Sequence, residues 1–364
     1  MPSPLTGWPT PWPCAIWRPT SFAACGPEVE DASMSCQVAV LGAGAFGTAL
    51  AQAAAHAGHR VRIWSIEERV LAEIERSRRN SAYLPGVRLH RHVRPASSLE
   101  EAVEAASLVL VAVPSQVVRT VVRQAAPLLR PGQAVANAAK GLEEGTALRM
   151  SQVLEQELPG DLRPGIGTIA GPAIAREMAR RRPTSLVAAA REPEVAGLVC
   201  RTLQNAWVRV AVSRDVIGVE VSATLKNAYA IALGLCDGLG LGANVKATLA
   251  AIALSEMAEM VVCLGGRRDT AYGLAGLGDL LATGYSPHSR NRTLGEKMGR
   301  GEDWRAFVAT RTVEGVAVVE TALGLARSLG LHLPVLAGLH ALLFQGADPG
   351  QTVRSLLSDS PLPA

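Results

Sequence analysis

Aromatic residues make up only 4% of this 364-residue chain. That argues against a ring-filled β-sandwich and for close-packed helices of alanine, leucine and glycine. No C-x-x-C spacing occurs among the six cysteines (Cys14, Cys25, Cys36, Cys200, Cys236 and Cys263). A disulfide frame and a zinc site are therefore not expected; the scatter fits reduced thiols in the cytosol. No long block of like charge is present, and the net charge is only +4. Nucleic acid and membrane surfaces are poor candidates for the main partner, whereas a small anion remains open. The long alanine- and leucine-rich stretches at 216–236, 245–264, 312–328 and 335–345 are each interrupted by lysines, acids or glycines, so none reads as a membrane span. The first 33 residues hold seven prolines and three of the six tryptophans. Prolines break every apolar run there, which makes a poor signal peptide. The segment reads as a disordered extension, and Met34, just before the first strand, can serve as an alternative start.

What is present is enough apolar sequence, 48%, for two domains with separate cores. Gln37–Leu41 is a valine-rich run of the kind that forms a buried strand. Gly42-Ala43-Gly44-Ala45-Phe46-Gly47 follows, then a helix expected from Thr48 to Ala57 with Gly58 ending it, then a second strand at Arg60–Trp64. A G-x-G-x-x-G alone is weak evidence, but one placed between strand and helix in a βαβ unit is strong. Gly42 permits the turn, Gly44 the approach of a pyrophosphate, and Gly47 the close packing of helix on strand. The free N–H groups of the helix start suit the phosphate oxygens. Glu67 lies 20 residues beyond Gly47, where an acid accepts bonds from the adenosine ribose and favours NAD over NADP. Arg69 keeps NADP open, and Glu67 also suits a plain helix N-terminus.

Further strands are expected at Ser107–Val113, Ala134–Ala139, Ile166–Ala170 and Ser185–Ala190. The first three lead into Pro114-Ser115, Lys140-Gly141 and Gly171-Pro172, at the strand ends where open α/β sheets bind ligands. Beyond about Arg214 the pattern is helical. The expected plan is a dinucleotide-binding α/β domain over 34–214 and a helical substrate and catalytic domain over 215–364. Lys226 and Asn227 stand in one of the apolar helices, where an unpaired charge is costly. Asp279 and Thr283 share one helix face. Ser289-Arg290-Asn291 gathers a hydroxyl, a guanidinium and an amide, a set that suits a phosphate monoester; a polar loop with a surface arginine is the alternative.

With these parts together, the chain resembles the bacterial NAD(P)-dependent glycerol-3-phosphate dehydrogenases over residues 36–358. The stretches that carry the resemblance include GAGAFGTALA, RNSAYLPG, VAVPSQ, AAKGLE, GPAIARE, ATLKNAYAIALGLCDGLGLGANVK, AGLGDLLAT, SRNRTLG, TVEG and LHLPV, in that order. The resemblance implies a Rossmann-like doubly wound sheet followed by an all-helical domain of the 6-phosphogluconate-dehydrogenase-like kind, with the site in the cleft between them. It implies that dihydroxyacetone phosphate is reduced with NADH or NADPH to sn-glycerol 3-phosphate, the backbone of phospholipids. Lys226 would be the general acid/base, with Asp279 and Lys140 orienting and balancing it. Asn227 and Thr283 would hold substrate, with Gly171 and Ala173 nearby, while Ser289, Arg290 and Asn291 would hold its phosphate. Ala45, Phe46, Lys140, Ala175, Arg290 and Glu314 would touch the dinucleotide. No metal is implied, and a cytoplasmic enzyme, conceivably a homodimer, is expected. Three positions depart from the family pattern. Ala173 replaces a threonine or serine, Ile252 stands where an arginine is usual, and Ile66 replaces a basic residue, a further lean toward NAD. Two other readings stay open: a related hydroxyacid dehydrogenase with a carboxylate substrate, and a dinucleotide-binding sensor without turnover.

Overall fold

The computed structural model describes residues 35–359, so the expectations for the N-terminal extension lie outside the described residues. Strands β1 (Gln37–Leu41), β2 (Arg60–Trp64), β3 (Val93–Pro95), β4 (Leu108–Val111), β5 (Ala134–Asn137), β6 (Ile166–Ala170), β7 (Thr184–Ala190) and β8 (Val208–Ser213) form one sheet. Their order is β3-β2-β1-β4-β5-β6-β7-β8. The neighbours are parallel, with Val38 opposite both Val61 and Leu108, except that β7 runs antiparallel to β6. The sheet changes winding direction between β1 and β4, so a ligand crevice opens at their carboxyl ends.

Strands covered on both faces need apolar residues at every position, not alternate ones. Along β1, Val38 and Val40 face one core while Ala39 and Leu41 face the other. The expected strands at 107–113 and 134–139 are shorter than their apolar runs, because the chain leaves the sheet at Val111 and Asn137 to build the crevice. Two strands escaped the sequence reading. β3 is a three-residue edge strand ending in Pro95, and β8 interleaves Arg209 with its valines. Because β7 is reversed and β8 runs parallel to it, β8 ends at the sheet edge opposite the crevice. The chain enters its helical half from that edge.

The helical half is organised on Val216–Gly238. Every residue from Gly218 to Cys236 is buried, so this helix has no solvent face. By length and composition alone it is long and apolar enough to cross a membrane, but 89% of its apolar window is covered by the rest of the fold. The helix Arg290–Gly299 runs alongside it. Their backbones nearly touch: a Cβ on Gly295 would stand 1.9 Å from the Ile231 carbonyl oxygen, and one on Gly234 2.0 Å from that of Arg292. Gly238 and Gly299 extend the same seam one turn further.

One buried carboxylate in this core has no basic partner. Glu256 accepts hydrogen bonds from the Val335 and Leu336 amides and from the Tyr229 hydroxyl, capping the helix Pro334–Phe344. Burial raises its pKa to about 7, against the pull of those donors. The folded state therefore holds this proton more tightly than the unfolded state. Its stabilising contribution is complete below pH 4.5 and is lost as pH rises through about 7. Glu256→Gln is expected to flatten that part of the stability curve. Urea midpoints of both proteins at about pH 5 and about pH 8 check it; an equal drop in both would assign the loss to another group.

Candidate active site

The nucleotide loop comes first in the chain. The helix after β1 spans Ala45–His56 and so begins inside the glycine motif, three residues earlier than expected, with Gly44 at its N-cap. Gly42 takes φ +118°, and a Cβ there would lie 2.5 Å from the Ala112 carbonyl oxygen. A Cβ on Gly47 would lie 2.0 Å from the Gly42 carbonyl oxygen. Gly44 differs: a Cβ there meets nothing within 4 Å. Packing within the protein does not require glycine at that position, whereas a pyrophosphate against the backbone does. No side chain caps this helix, so its N–H groups are available to phosphate oxygens. These features fit a dinucleotide. The buried Asn80 holds the loop from behind, donating to the Ala43 carbonyl (2.8 Å) and the Thr48 hydroxyl (2.9 Å). The sequence reading missed this residue, although an asparagine within RNSAYLPG was its signal.

Glu67 occupies the N-cap position of the helix Glu68–Ser77 without bonding its amides. Its carboxylate instead accepts from Arg69 (2.8 Å) and from the Tyr83 hydroxyl. These two donors, Tyr83 first, hold it below the usual carboxylate range. The acid expected to face a ribose therefore already has a cation beside it.

The catalytic candidates converge from three elements. Lys226 projects from the central helix, donates to the Thr283 hydroxyl at 2.7 Å, and lies 3.2 Å from Asp279 Oδ1. Asp279 and Thr283 do share one face, on the helix Asp279–Tyr285, and Thr283 Oγ1 lies 3.2 Å from Asp279 Oδ1. Lys140, just past β5, reaches across from the sheet domain. Its Nζ is 2.5 Å from Asp279 Oδ2, 3.4 Å from the Gly171 carbonyl and 5.5 Å from the centre of the Phe46 ring. The three side chains are 8%, 3% and 12% exposed for Lys226, Asp279 and Lys140. Two ammonium groups thus share one buried carboxylate, leaving one positive charge over. Burial lowers the Lys226 pKa to about 8; Asp279 opposes that shift and Lys140 adds to it. Burial alone would raise Asp279, but the two lysines outweigh it and hold the carboxyl below its ordinary value. A lysine so tuned can both donate and accept a proton near neutral pH.

The neighbouring polar groups form a second circuit. Asn227 Nδ2 donates to Glu314 (3.0 Å), and Asn291 Nδ2 donates to Asn227 Oδ1 (2.9 Å). Asn291 Oδ1 accepts from the Gly315 amide at 3.0 Å. These amides tie three helices together, so in this structure both bind protein groups and not an open phosphate pocket. Ser289 is likewise engaged, as N-cap of the helix Arg290–Gly299, accepting from the Arg292 amide at 3.2 Å. Arg290 is the exception. It is exposed, and its guanidinium has no ion-pair or hydrogen-bond partner among the described residues. Gly171 takes φ +121° at the end of β6. Ala173 and Ala175 pack against the sheet core, and Ala175 begins a short helix packed on the nucleotide-loop helix. Ile252 is buried in the helical core. No cluster of histidine, cysteine and acids suitable for a metal occurs among the described residues.

Residues 37–196 match the family domain described as NAD-dependent glycerol-3-phosphate dehydrogenase N-terminus, and residues 215–354 match its C-terminus counterpart. The chain belongs to the NAD-dependent glycerol-3-phosphate dehydrogenases. It is 39% identical over 326 residues to the glycerol-3-phosphate dehydrogenase [NAD(P)+] of Chlorobium limicola, covering 89% of this chain and 98% of that protein. A relative in Salinibacter ruber is 40% identical over 329 residues, covering 90% and 96%. The crystal structure of glycerol-3-phosphate dehydrogenase from Coxiella burnetii superposes with a TM-score of 0.83 at 33% identity, covering 89% of this chain and 99% of that one.

Proposed function

We propose that this chain reduces dihydroxyacetone phosphate to sn-glycerol 3-phosphate, reversibly, with Lys226 as general acid/base, and so supplies the backbone of glycerophospholipids. The observation that carries the reading is the buried Lys226–Asp279–Lys140 array, closed across the two halves of the fold and lying against Phe46 of the nucleotide loop. That loop, with its free helix N–H groups, would hold a nicotinamide dinucleotide, which when bound would supply the hydride for C2. In the reduction Lys226 gives a proton to the C2 oxygen; in the oxidation it takes one back. Asp279 fixes the Lys226 ammonium, and Thr283 directs it by hydrogen bonding. Lys140 offsets the Asp279 charge and offers a second cation to the developing alkoxide. Glu67 supports a preference for NAD, and the Arg69 it holds supports acceptance of NADP as well. Cytoplasmic location and a homodimeric assembly rest on the family resemblance alone.

Arg290 is the proposed phosphate clamp, because its guanidinium stands free at a helix N-terminus next to Asn291, which is tied to Asn227. Arg290→Ala is expected to raise KM for dihydroxyacetone phosphate by ~10- to 100-fold, the loss of a charge-assisted contact of about 1.5–3 kcal/mol. Steady-state kinetics at saturating NADH checks it, and an unchanged KM would remove Arg290 from that role. The same variant separates the phosphate substrate from a carboxylate analogue, since free inorganic phosphate should inhibit the wild type and not the variant.

A further inference from the structure

Among the described residues, two ion pairs join the sheet half to the helical half. One is the Lys140–Asp279 pair of the site. The other lies outside it, where Arg149 Nη1 stands 2.9 Å from Glu220 Oε2. Their two sheet-side partners belong to one loop. Lys140 follows β5, and Arg149 is the N-cap of the next helix, Met150–Glu157. On the other side, Glu220 stands on the same helix as Lys226 and six residues ahead of it, about 9 Å along the axis.

The Glu220 side chain is 5% exposed, and both of its oxygens are engaged. Oε1 accepts from the Ser151 amide at 2.9 Å. Oε2 accepts from the Ser151 hydroxyl at 2.6 Å and from Arg149. Arg149 Nη1 also donates to the Ser151 hydroxyl at 2.7 Å, which closes the ring. The loop is itself a closed hairpin: Leu142 bridges to Arg149, and the Glu143 amide donates to the Leu148 carbonyl at 2.9 Å. Leu142, two residues past Lys140, is buried in the helical core with Val221 and Leu225. The rest of the loop is fixed to the sheet half. Gln116 bonds the Leu142 carbonyl and the Glu144 amide there, and Arg119 pairs with Glu143. A buried ion pair adds little stability over apolar residues of the same volume. Its charge-assisted bonds are directional, however, and define where the loop sits on the helix.

We propose that Glu220 is a positioning residue for the reduction. Through Arg149 and Ser151 it clamps the Lys140 loop to the helix that carries Lys226, and so sets the spacing of the two ammonium groups about Asp279. This rests on the reading of Lys226 as the proton donor. Without the clamp the loop stays with the sheet half, and Lys140 draws back from Asp279. Asp279 then answers Lys226 alone, and the repulsion from Lys140 weakens. Glu314, the other charge acting on Lys226, stands on a separate helix and keeps its place. Lys226 should therefore hold its proton to higher pH.

The test uses NMR on the full chain with isotopically labelled lysine, of which there are only four: Lys140, Lys226, Lys246 and Lys297. The signal missing from Lys226→Ala identifies Lys226. Glu220→Met/Arg149→Met removes both charges and strands neither, so the variant is expected to fold. Its Lys226 midpoint should rise from the wild-type value of about 8 by roughly half a unit to one unit. Its kcat should fall ~10-fold or more, with KM for NADH unchanged. In a Lys140→Met background the same two changes should leave the Lys226 midpoint where Lys140→Met alone puts it. Glu220→Asp keeps the charge and shortens the reach, and serves if the double variant does not fold; it should move the midpoint the same way by a smaller step. A merely structural role would lower the urea midpoint and leave the Lys226 titration of the folded protein unmoved. That result, or a further shift in the absence of Lys140, would overturn the proposal. The titration needs no turnover, so an inactive wild type would count against the functional reading and not against the clamp.

Discussion

Lys226→Ala is expected to lower kcat for dihydroxyacetone phosphate by ~10²–10⁴-fold, the range a positioned proton donor supplies. NADH binding, read by fluorescence, should persist, because the glycine loop and Asn80 are untouched. Removing this ammonium leaves Asp279 with Lys140 at 2.5 Å, so the carboxylate is not stranded and the fold should hold. Added ammonium or a small primary amine should recover part of the rate by entering the vacated space. The wild-type pH profile carries the same argument. With Lys226 near 8, reduction, which needs the charged form, should decline as pH rises through that value. Oxidation of glycerol 3-phosphate, which needs the neutral form, should climb through it. Near-normal turnover in Lys226→Ala, or a reduction profile that stays flat across that range, would assign proton transfer to another group.

Gly295→Ala should have the largest effect on stability. The added methyl would sit 1.9 Å from the Ile231 carbonyl oxygen and 2.7 Å from the Leu235 amide nitrogen. Both are backbone atoms of a helix buried on every side, so nothing flexible can give way. The helices must separate, at a cost of ~3 kcal/mol or more. Arg290 and Asn291 start the displaced helix, so KM for the substrate should rise in whatever fraction folds. Gly324→Ala is the control. It lies in the helix Glu314–Ser328 with nothing within 4 Å of its added Cβ, and should be neutral or stabilising by up to ~1 kcal/mol. Urea unfolding of the two variants beside the wild type checks both. Equal midpoints for Gly295→Ala and Gly324→Ala would refute the close-packed seam.

The sheet was readable where burial on both faces writes an unbroken apolar run, as in β1, β4 and β6. It was unreadable where the strand is an edge of three residues or carries an outward arginine, as in β3 and β8. Lys226, Asp279 and Thr283 could be picked out as polar groups in apolar helices, and the last two as a pair at helical spacing. Their meeting with Lys140 came from the family resemblance and not from spacing, since 139 residues separate Lys140 from Asp279. Asn227 and Asn291, 64 residues apart, were expected to hold substrate and its phosphate respectively, and folding turned them toward each other. The helix seam did leave a trace, in the four-residue spacing of Gly234 with Gly238 and of Gly295 with Gly299, which is the mark of helices approaching to backbone contact.

The helix without a solvent face has a consequence during synthesis. Gly238 leaves the ribosome 61 residues ahead of Gly299, an interval of ~3–12 s at common elongation rates. Throughout it, the growing chain displays a segment with the length and apolarity of a membrane span, and the helix that will cover it does not yet exist. Lys226 lies next to the midpoint of that segment. A lysine there opposes insertion into a bilayer by ~2.5–3.5 kcal/mol, before it has any reaction to serve.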